Sequence, residues 1–80
     1  MEVQVSLYGM YRQYLPPDAP SATSFAVELA ERATVATLTD RLGIPREKVR
    51  QVFVNGVPSG LEGALRPGAK VVFVPPSAGG

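Results

Sequence analysis

The sequence predicts an α+β protein in which a mixed sheet of four to five strands packs on one main helix, with a flexible C-terminal tail. Three observations predict this fold class. Val3, Val5 and Leu7 alternate with polar residues, as in a strand with one buried face. Apolar residues with helical spacing follow over 35–42, and a β-prone apolar run at 71–74 precedes a terminus rich in proline and glycine.

Composition indicates one small folded domain. The chain has 80 residues, of which 45% are hydrophobic and 19% charged, and this balance is typical of a globular protein. Eight Lys and Arg face seven Asp and Glu, and the basic residues are scattered along the chain. Since nucleic-acid binding needs a basic patch or stripe, we expect no nucleic-acid partner.

The residue types that the chain lacks exclude several kinds of catalytic and metal-binding site. The chain has no cysteine and no histidine, so it lacks a thiolate nucleophile, an imidazole base and a soft metal ligand. We therefore expect no metal site and no bound cofactor. No apolar run is long enough to span a bilayer and no signal pattern opens the chain, so we expect a cytoplasmic protein without a membrane partner.

The first third of the chain predicts two strands separated by an irregular segment. The first strand covers 3–7, and the amphipathic segment at 10–15 is too short to be a secure helix. The proline-rich stretch at 16–20 predicts a surface loop. Apolar alternation returns within 23–29, which predicts a second strand antiparallel to the first.

The middle of the chain predicts the main helix. Thr34 stands before the apolar residues of 35–42, whose spacing of three and four predicts about two helical turns. Gly43 provides the left-handed closing position, and Pro45 prevents continuation. We expect one polar turn to follow over 45–48.

The last third predicts a hairpin and a final strand. Residues 52–54 form the third strand, and Asn55 and Gly56 give a strong tight-turn signal before a short edge strand that starts at 57–58. A loop with several Gly and Pro residues then crosses over 59–69 to the final strand.

The most apolar strands, at 3–7 and 71–74, are expected to lie side by side at the centre of the sheet, with the helix covering one face. This arrangement is the β-grasp, the ubiquitin-like fold. We expect a β-grasp domain over 1–74 and a flexible tail over 75–80.

The final strand also predicts an apolar patch. If Val71 and Phe73 face the helix, Val72 and Val74 project to the other side, where they would form a candidate docking patch with Phe53. The alternative is that this central strand is buried on both faces.

The tail combines stiffness with the absence of bulk. Its residues are two prolines, two small residues and two glycines, namely Pro75, Pro76, Ser77, Ala78, Gly79 and Gly80. The prolines favour an extended stalk, and the glycines form a thin thread that ends in one carboxylate. We predict that the Gly80 carboxylate is the working group, the alternative being a frayed terminus without function.

Four segments together resemble the ubiquitin-like sulfur carriers. They are the opening strand at 3–7, VFVNGV at 52–57, LRPG at 65–68 and FVPPSAGG at 73–80, of which the last is the most specific. Within that family the chain is most similar to the small subunit of molybdopterin synthase. Its proline-rich loop is longer than in the commonest small subunits, so the sulfur acceptor stays open.

The resemblance implies a protein co-substrate rather than an enzyme. An adenylating activating enzyme would use ATP on Gly80, and a sulfur donor would convert that residue to a thiocarboxylate. The tail, with Pro75 to Gly79 in the partner's channel, would then enter the large synthase subunit and donate sulfur to a pterin precursor in molybdenum cofactor biosynthesis. Three alternatives remain: a carrier for another pathway such as thiamin thiazole synthesis, a modifier conjugated to lysines through Gly80, and an interaction domain whose end is incidental.

Overall fold

A computed structural model of the protein describes residues 1–18 and 23–76. Five strands, one α-helix and two short 3-10 helices follow one another in this part of the chain. In chain order they are β1 (Glu2–Leu7), the first 3-10 helix (Gly9–Tyr14), β2 (Phe25–Glu28), α1 (Val35–Leu42), the second 3-10 helix (Arg46–Lys48), β3 (Gln51–Val54), β4 (Val57–Ser59) and β5 (Lys70–Val74).

The strands form one mixed sheet in the order β2-β1-β5-β3-β4. The central pair, β1 and β5, is parallel, and Val5 lies opposite Val71 while Leu7 lies opposite Phe73. The remaining neighbours are antiparallel. The predicted β-grasp, with its first and final strands at the centre and its short strand at the edge, is confirmed.

The hydrophobic core lies between one face of the sheet and α1. Val5 and Leu7 from β1 and Val71 and Phe73 from β5 are at most 2% exposed. They belong to one buried cluster with further residues of the strands, the helices and the loops, namely Val3, Tyr11, Leu29, Ala33, Val35, Leu38, Ile44, Val52, Leu65 and Ala69. Burial of these apolar side chains is the main contribution that stabilises so small a fold.

Helix α1 begins and ends where local sequence signals place it. The Thr34 hydroxyl accepts from the Thr37 backbone N–H at 3.3 Å, and the Thr37 hydroxyl accepts from the Thr34 N–H at 3.2 Å. This reciprocal cap satisfies two donors that a helix start otherwise leaves free. Gly43 ends the helix with a φ of +81°.

Among the residues that the structure describes, no helix has the length and apolar character needed to cross a membrane.

The β3–β4 hairpin turns at Asn55 and Gly56, as predicted. Both residues have positive φ, 51° and 82°, which is the backbone of the turn that best matches strand twist. The Asn55 side-chain oxygen also accepts from the Lys70 backbone N–H at 2.9 Å. The turn residue therefore helps to fix the start of β5.

The first 3-10 helix contributes a core residue that the sequence pattern did not predict. Tyr11 is fully buried, and its hydroxyl donates to the Lys48 carbonyl at 2.6 Å and accepts from the Arg50 N–H at 3.0 Å. Its ring meets the Phe73 ring in an edge-to-face contact. A segment too short for a stable α-helix is held by these tertiary contacts.

Candidate functional site

The site predicted from the sequence begins where β5 ends. The strand stops at Val74, and the two prolines that follow differ in burial: Pro75 is half-buried and Pro76 is exposed. Ser77, Ala78, Gly79 and Gly80 lie outside the described residues. The structure therefore gives the base of the tail, while the role of the Gly80 carboxylate stays a prediction.

The base of the tail lies against the turn that follows β1. The Tyr8 backbone N–H donates to the Phe73 carbonyl at 3.1 Å, which extends the pairing of β1 with β5 by one step. Gly9 then turns the chain with a φ of +56°. The Pro75 ring occupies the space in which a side chain at position 9 would begin.

The three predicted patch residues lie together on the sheet face away from α1. Val72 and Val74 alternate with the buried Val71 and Phe73, and both are half-buried. Phe53, also half-buried, lies directly opposite Val72 on the neighbouring strand. The expected projection away from the helix is therefore present, and the docking role of these residues stays a prediction.

One aromatic residue extends this surface toward the turn. Tyr8 is 52% exposed, and it follows Ser6 by two positions in an extended backbone. Its side chain therefore points to the same sheet face as Ser6, the face away from α1. Because Leu7 pairs with Phe73, the register brings Tyr8 beside Val74. We call Tyr8, Phe53, Val72 and Val74 the tail-base patch.

Sequence reasoning missed Tyr8, although a signal was present. The alternation of β1 can be continued by one residue beyond Leu7. Because successive strand residues point to opposite faces and Leu7 points into the core, position 8 points outward. Met10, on the adjoining 3-10 helix, is a further exposed apolar side chain, at 45%. The tail base is therefore surrounded by more apolar surface than the strand pattern alone indicates.

A salt bridge joins the end of α1 to the second 3-10 helix. Arg46 donates to both carboxylate oxygens of Asp40, at 3.0 and 2.7 Å. The hydrogen bonds from Arg46, and secondarily its charge, lower the pKa of Asp40, and the same pairing raises the pKa of Arg46. Both side chains are 55% exposed, so this pair is a solvated surface contact.

The described residues offer no cluster of metal-ligating side chains. Within 1–18 and 23–76, no group of three or more His, Cys, Asp or Glu side chains converges in a way that could hold a metal ion. Every buried side-chain polar atom in this part of the chain has a hydrogen-bond partner. The tail base and its apolar surroundings are therefore the feature that best fits a functional site.

A protein-family model described as Mut7-C ubiquitin matches residues 1–79. The chain belongs to the Mut7-C ubiquitin family. This membership confirms the predicted ubiquitin-like relationship over nearly the whole sequence. A search of the curated proteins found no match.

Solved structures support the fold of this Mut7-C ubiquitin domain. SAMP1 from Haloferax volcanii superposes with a TM-score of 0.71 and 18% identity, with all of both chains covered. A second structure, of H. volcanii small archaeal modifier protein 1, gives 0.70 and 18%, and 95% of this chain and 98% of the other are covered. A Pyrococcus furiosus protein assigned as subunit 1 of a molybdopterin converting factor gives 0.72 and 21%, with the same coverage.

Proposed function

We propose that this protein is a sulfur carrier that acts as a co-substrate, namely as the small subunit of a molybdopterin synthase. The observation that carries the proposal is the continuity of the central strand β5 with a Pro-Pro tail whose base is surrounded by apolar surface. The rigid sheet would hold the base of the tail in a defined place while the Gly-Gly end enters a partner. The likeness to a structure assigned as a molybdopterin converting factor subunit supports the same function.

The proposed activation takes place at the Gly80 carboxylate. A carboxylate oxygen attacks the α-phosphorus of ATP in the activating enzyme, pyrophosphate leaves, and an acyl adenylate forms. A hydrosulfide equivalent from the sulfur donor then attacks the acyl carbon, AMP leaves, and the terminus becomes a thiocarboxylate. Glycine leaves the acyl carbon unhindered, and the groups that bind ATP belong to the partner.

The proposed delivery uses the thiocarboxylate as the nucleophile. Its sulfur attacks an electrophilic carbon of the pterin precursor in the active site of the large synthase subunit, and an oxygen substituent of that carbon leaves with the bonding electron pair and takes up a proton. Hydrolysis of the acyl–sulfur bond then leaves sulfur on the precursor and restores the Gly80 carboxylate. Pro75 and Pro76 limit the entropy lost when the tail enters a channel, and Ser77, Ala78 and Gly79 are small enough to pass through a narrow one.

The tail-base patch is the proposed docking surface for the activating enzyme and for the large subunit. An aromatic and aliphatic surface of this kind, next to the reactive tail, would let one contact area serve both partners in turn. Each partner would then bind the same face of the sheet, and the two complexes would exclude each other.

Intact mass spectrometry tests the proposal directly. The chain is incubated with a candidate activating enzyme from the same organism, Mg-ATP and sulfide, and the product mass is compared with that of a sample without ATP. We expect a rise equal to the difference between a sulfur and an oxygen atom, located on the C-terminal peptide. An unchanged mass, when the same enzyme preparation thiolates another carrier, would contradict the function.

The names of two similar structures favour one second candidate, a protein modifier. In that function the activated Gly80 acyl group would be transferred to a target lysine, with AMP or an enzyme thiol as the leaving group. Isopeptide-linked conjugates would identify the modifier, and trypsin, which cleaves after Lys70, would leave residues 71–80 on the target lysine. A thiolated small molecule would instead identify the carrier.

A further inference from the structure

Gly9 occupies a position where two requirements for glycine coincide. Its φ of +56° lies in the left-handed region, which is costly for residues with a side chain. In addition, a Cβ atom at this position would lie 2.5 Å from Pro75 Cγ and 3.2 Å from Pro75 Cδ. The second requirement concerns the tail, because Pro75 is the first residue beyond β5.

The turn at Gly9 is fixed on both sides by the fold. Before it, Leu7 pairs with Phe73 and the Tyr8 N–H donates to the Phe73 carbonyl. After it, the fully buried Tyr11 anchors the 3-10 helix in the core. The surface against which Pro75 packs is thus part of the rigid domain.

We propose that Gly9 is a positioning residue for the tail. The Pro75 ring packs against the backbone of Gly9, and this contact fixes the direction in which the chain leaves β5. Because Pro75 has a restricted φ, a ring held at this point also directs Pro76. The inference rests on the proposed function only for its consequence, which is efficient capture of the tail by the activating enzyme.

The contact explains why a tail that must enter a partner begins with an anchored residue. If the chain were free beyond Val74, the partner would also have to order Pro75 and Pro76 on binding. Anchoring at Pro75 moves that cost into the folded domain. Loss of the contact should therefore weaken capture and raise KM, with little change in kcat, because the acyl carbon itself is unaltered.

A double-mutant cycle between Gly9 and Pro75 tests the proposal. In the ATP-dependent activation reaction, Gly9→Ala is expected to raise the KM of the activating enzyme for this protein about tenfold. The kcat should stay within about twofold of the wild-type value. In the Pro75→Ala background the same substitution should change KM less than about twofold, because the Cγ and Cδ atoms are gone and Pro75 Cβ, at 3.4 Å, is at ordinary contact distance. Equal effects of Gly9→Ala in both backgrounds would overturn the proposal.

Gly56→Ala is the matched control. Gly56 has a φ of +82° and no atom within 4 Å of a Cβ built on it, so its substitution introduces backbone strain without a new contact. Both single variants are expected to lower Tm by about 4–8 °C. This is the shift expected in a domain of this size when one residue with a side chain is forced into the left-handed region. Only Gly9→Ala should also raise KM, and the same KM for the two variants would contradict a positioning role.

Two NMR measurements separate this inference from the proposed function. Nuclear Overhauser effects between the Gly9 Hα and the Pro75 ring protons are expected in the wild-type chain, and their absence would overturn the contact whether or not the chain is a sulfur carrier. The order parameter of the Pro76 Cα–Hα bond should fall in Gly9→Ala and in Pro75→Ala but not in Gly56→Ala. If these results hold and no activating enzyme accepts the chain, the proposed function fails and the positioning of the tail stands.

Discussion

The Tyr11 ring meets the Phe73 ring at 61°, with the ring centroids 5.9 Å apart. This contact joins the first 3-10 helix to β5, the strand that leads into the tail. Phe73 is fully buried, so the base of the tail is anchored in the centre of the core. We therefore expect substitutions that loosen this helix to displace the base of the tail.

Tyr11→Phe is expected to lower the free energy of unfolding by about 1–3 kcal/mol, because the Lys48 carbonyl and the Arg50 N–H lose their common partner. The ring contact with Phe73 is retained. Urea denaturation followed by circular dichroism measures the change.

Tyr14→Phe is the control for this substitution. Tyr14 is half-buried, and its hydroxyl has no hydrogen-bond partner within the described part of the chain, so the expected change is under about 0.5 kcal/mol. Equal losses in the free energy of unfolding for Tyr11→Phe and Tyr14→Phe would show that the two hydrogen bonds of Tyr11 make no specific contribution to stability.

Phe53→Ala is expected to weaken capture by the activating enzyme while leaving the domain folded. An apolar docking contact of this size corresponds to a rise in KM of about tenfold. Val57→Ala is the matched control, since Val57 is a 62% exposed apolar residue on the edge strand β4, where it lies opposite Val54 and not opposite Phe53. Steady-state pyrophosphate release measures KM for each variant, and an unchanged KM for Phe53→Ala would remove that residue from the docking surface.

Residues on the two faces of β5 should respond differently to truncation. Phe73→Ala removes a fully buried ring, and we expect a loss of about 3–5 kcal/mol in the free energy of unfolding. Val72→Ala, at a half-buried position on the other face, should cost less than about 1.5 kcal/mol but should raise KM for the activating enzyme. A stability loss for Val72→Ala as large as that for Phe73→Ala would favour burial on both faces over a docking surface.

Deletion of Gly80 is expected to abolish thiocarboxylate formation without changing Tm. The deletion withdraws the carboxylate by about 3.3–3.6 Å, the reach of one extended residue, which is enough to misplace it in an active site. Gly80→Ala, which keeps the length and adds one methyl group, should retain reduced activity. Full activity of the shortened chain, measured by intact mass, would contradict the role of Gly80.

The Asp40–Arg46 pair should make a small contribution to stability that depends on pH. The pKa of Asp40 is lowered in the folded protein, so the unfolded state binds this proton more readily as acid is added. The contribution is therefore fully present above the ordinary pKa of 3.8 and is lost as the pH falls through the lower folded value. Asp40→Asn should reduce the difference in Tm between pH 6 and pH 2, and an unchanged difference would show that the exposed pair is not coupled to folding.

Elements with local signals were predictable from the sequence. Helix α1 matches the predicted 35–42 because Thr34 and Gly43 cap it through contacts with near neighbours in the chain. The Asn55 turn has the same kind of local cause. The central, neighbouring positions of the first and final strands followed from hydrophobicity, since the most apolar strands require burial at the centre of the sheet.

Features that depend on distant contacts were not predictable in this way. The burial of Tyr11 is determined by Phe73, Lys48 and Arg50, all remote from it in sequence, and a six-residue 3-10 helix gives no periodic signal. Gly9 resembles any turn glycine until Pro75 is placed beside it. The outward orientation of the patch residues Val72 and Val74 was predictable from the alternation of strand residues. A single sequence carries no signal that identifies the proteins that would dock on them.

The central place of β5 links folding to presentation of the tail. β5 is the last strand in chain order, yet it pairs with both β1 and β3. The sheet therefore cannot be completed until this strand has been synthesised, and closing it requires a contact between distant parts of the chain, which slows folding. An incompletely made or misfolded chain would lack the surface beside the tail. An activating enzyme that depends on that surface would then spend ATP only on chains that have finished folding.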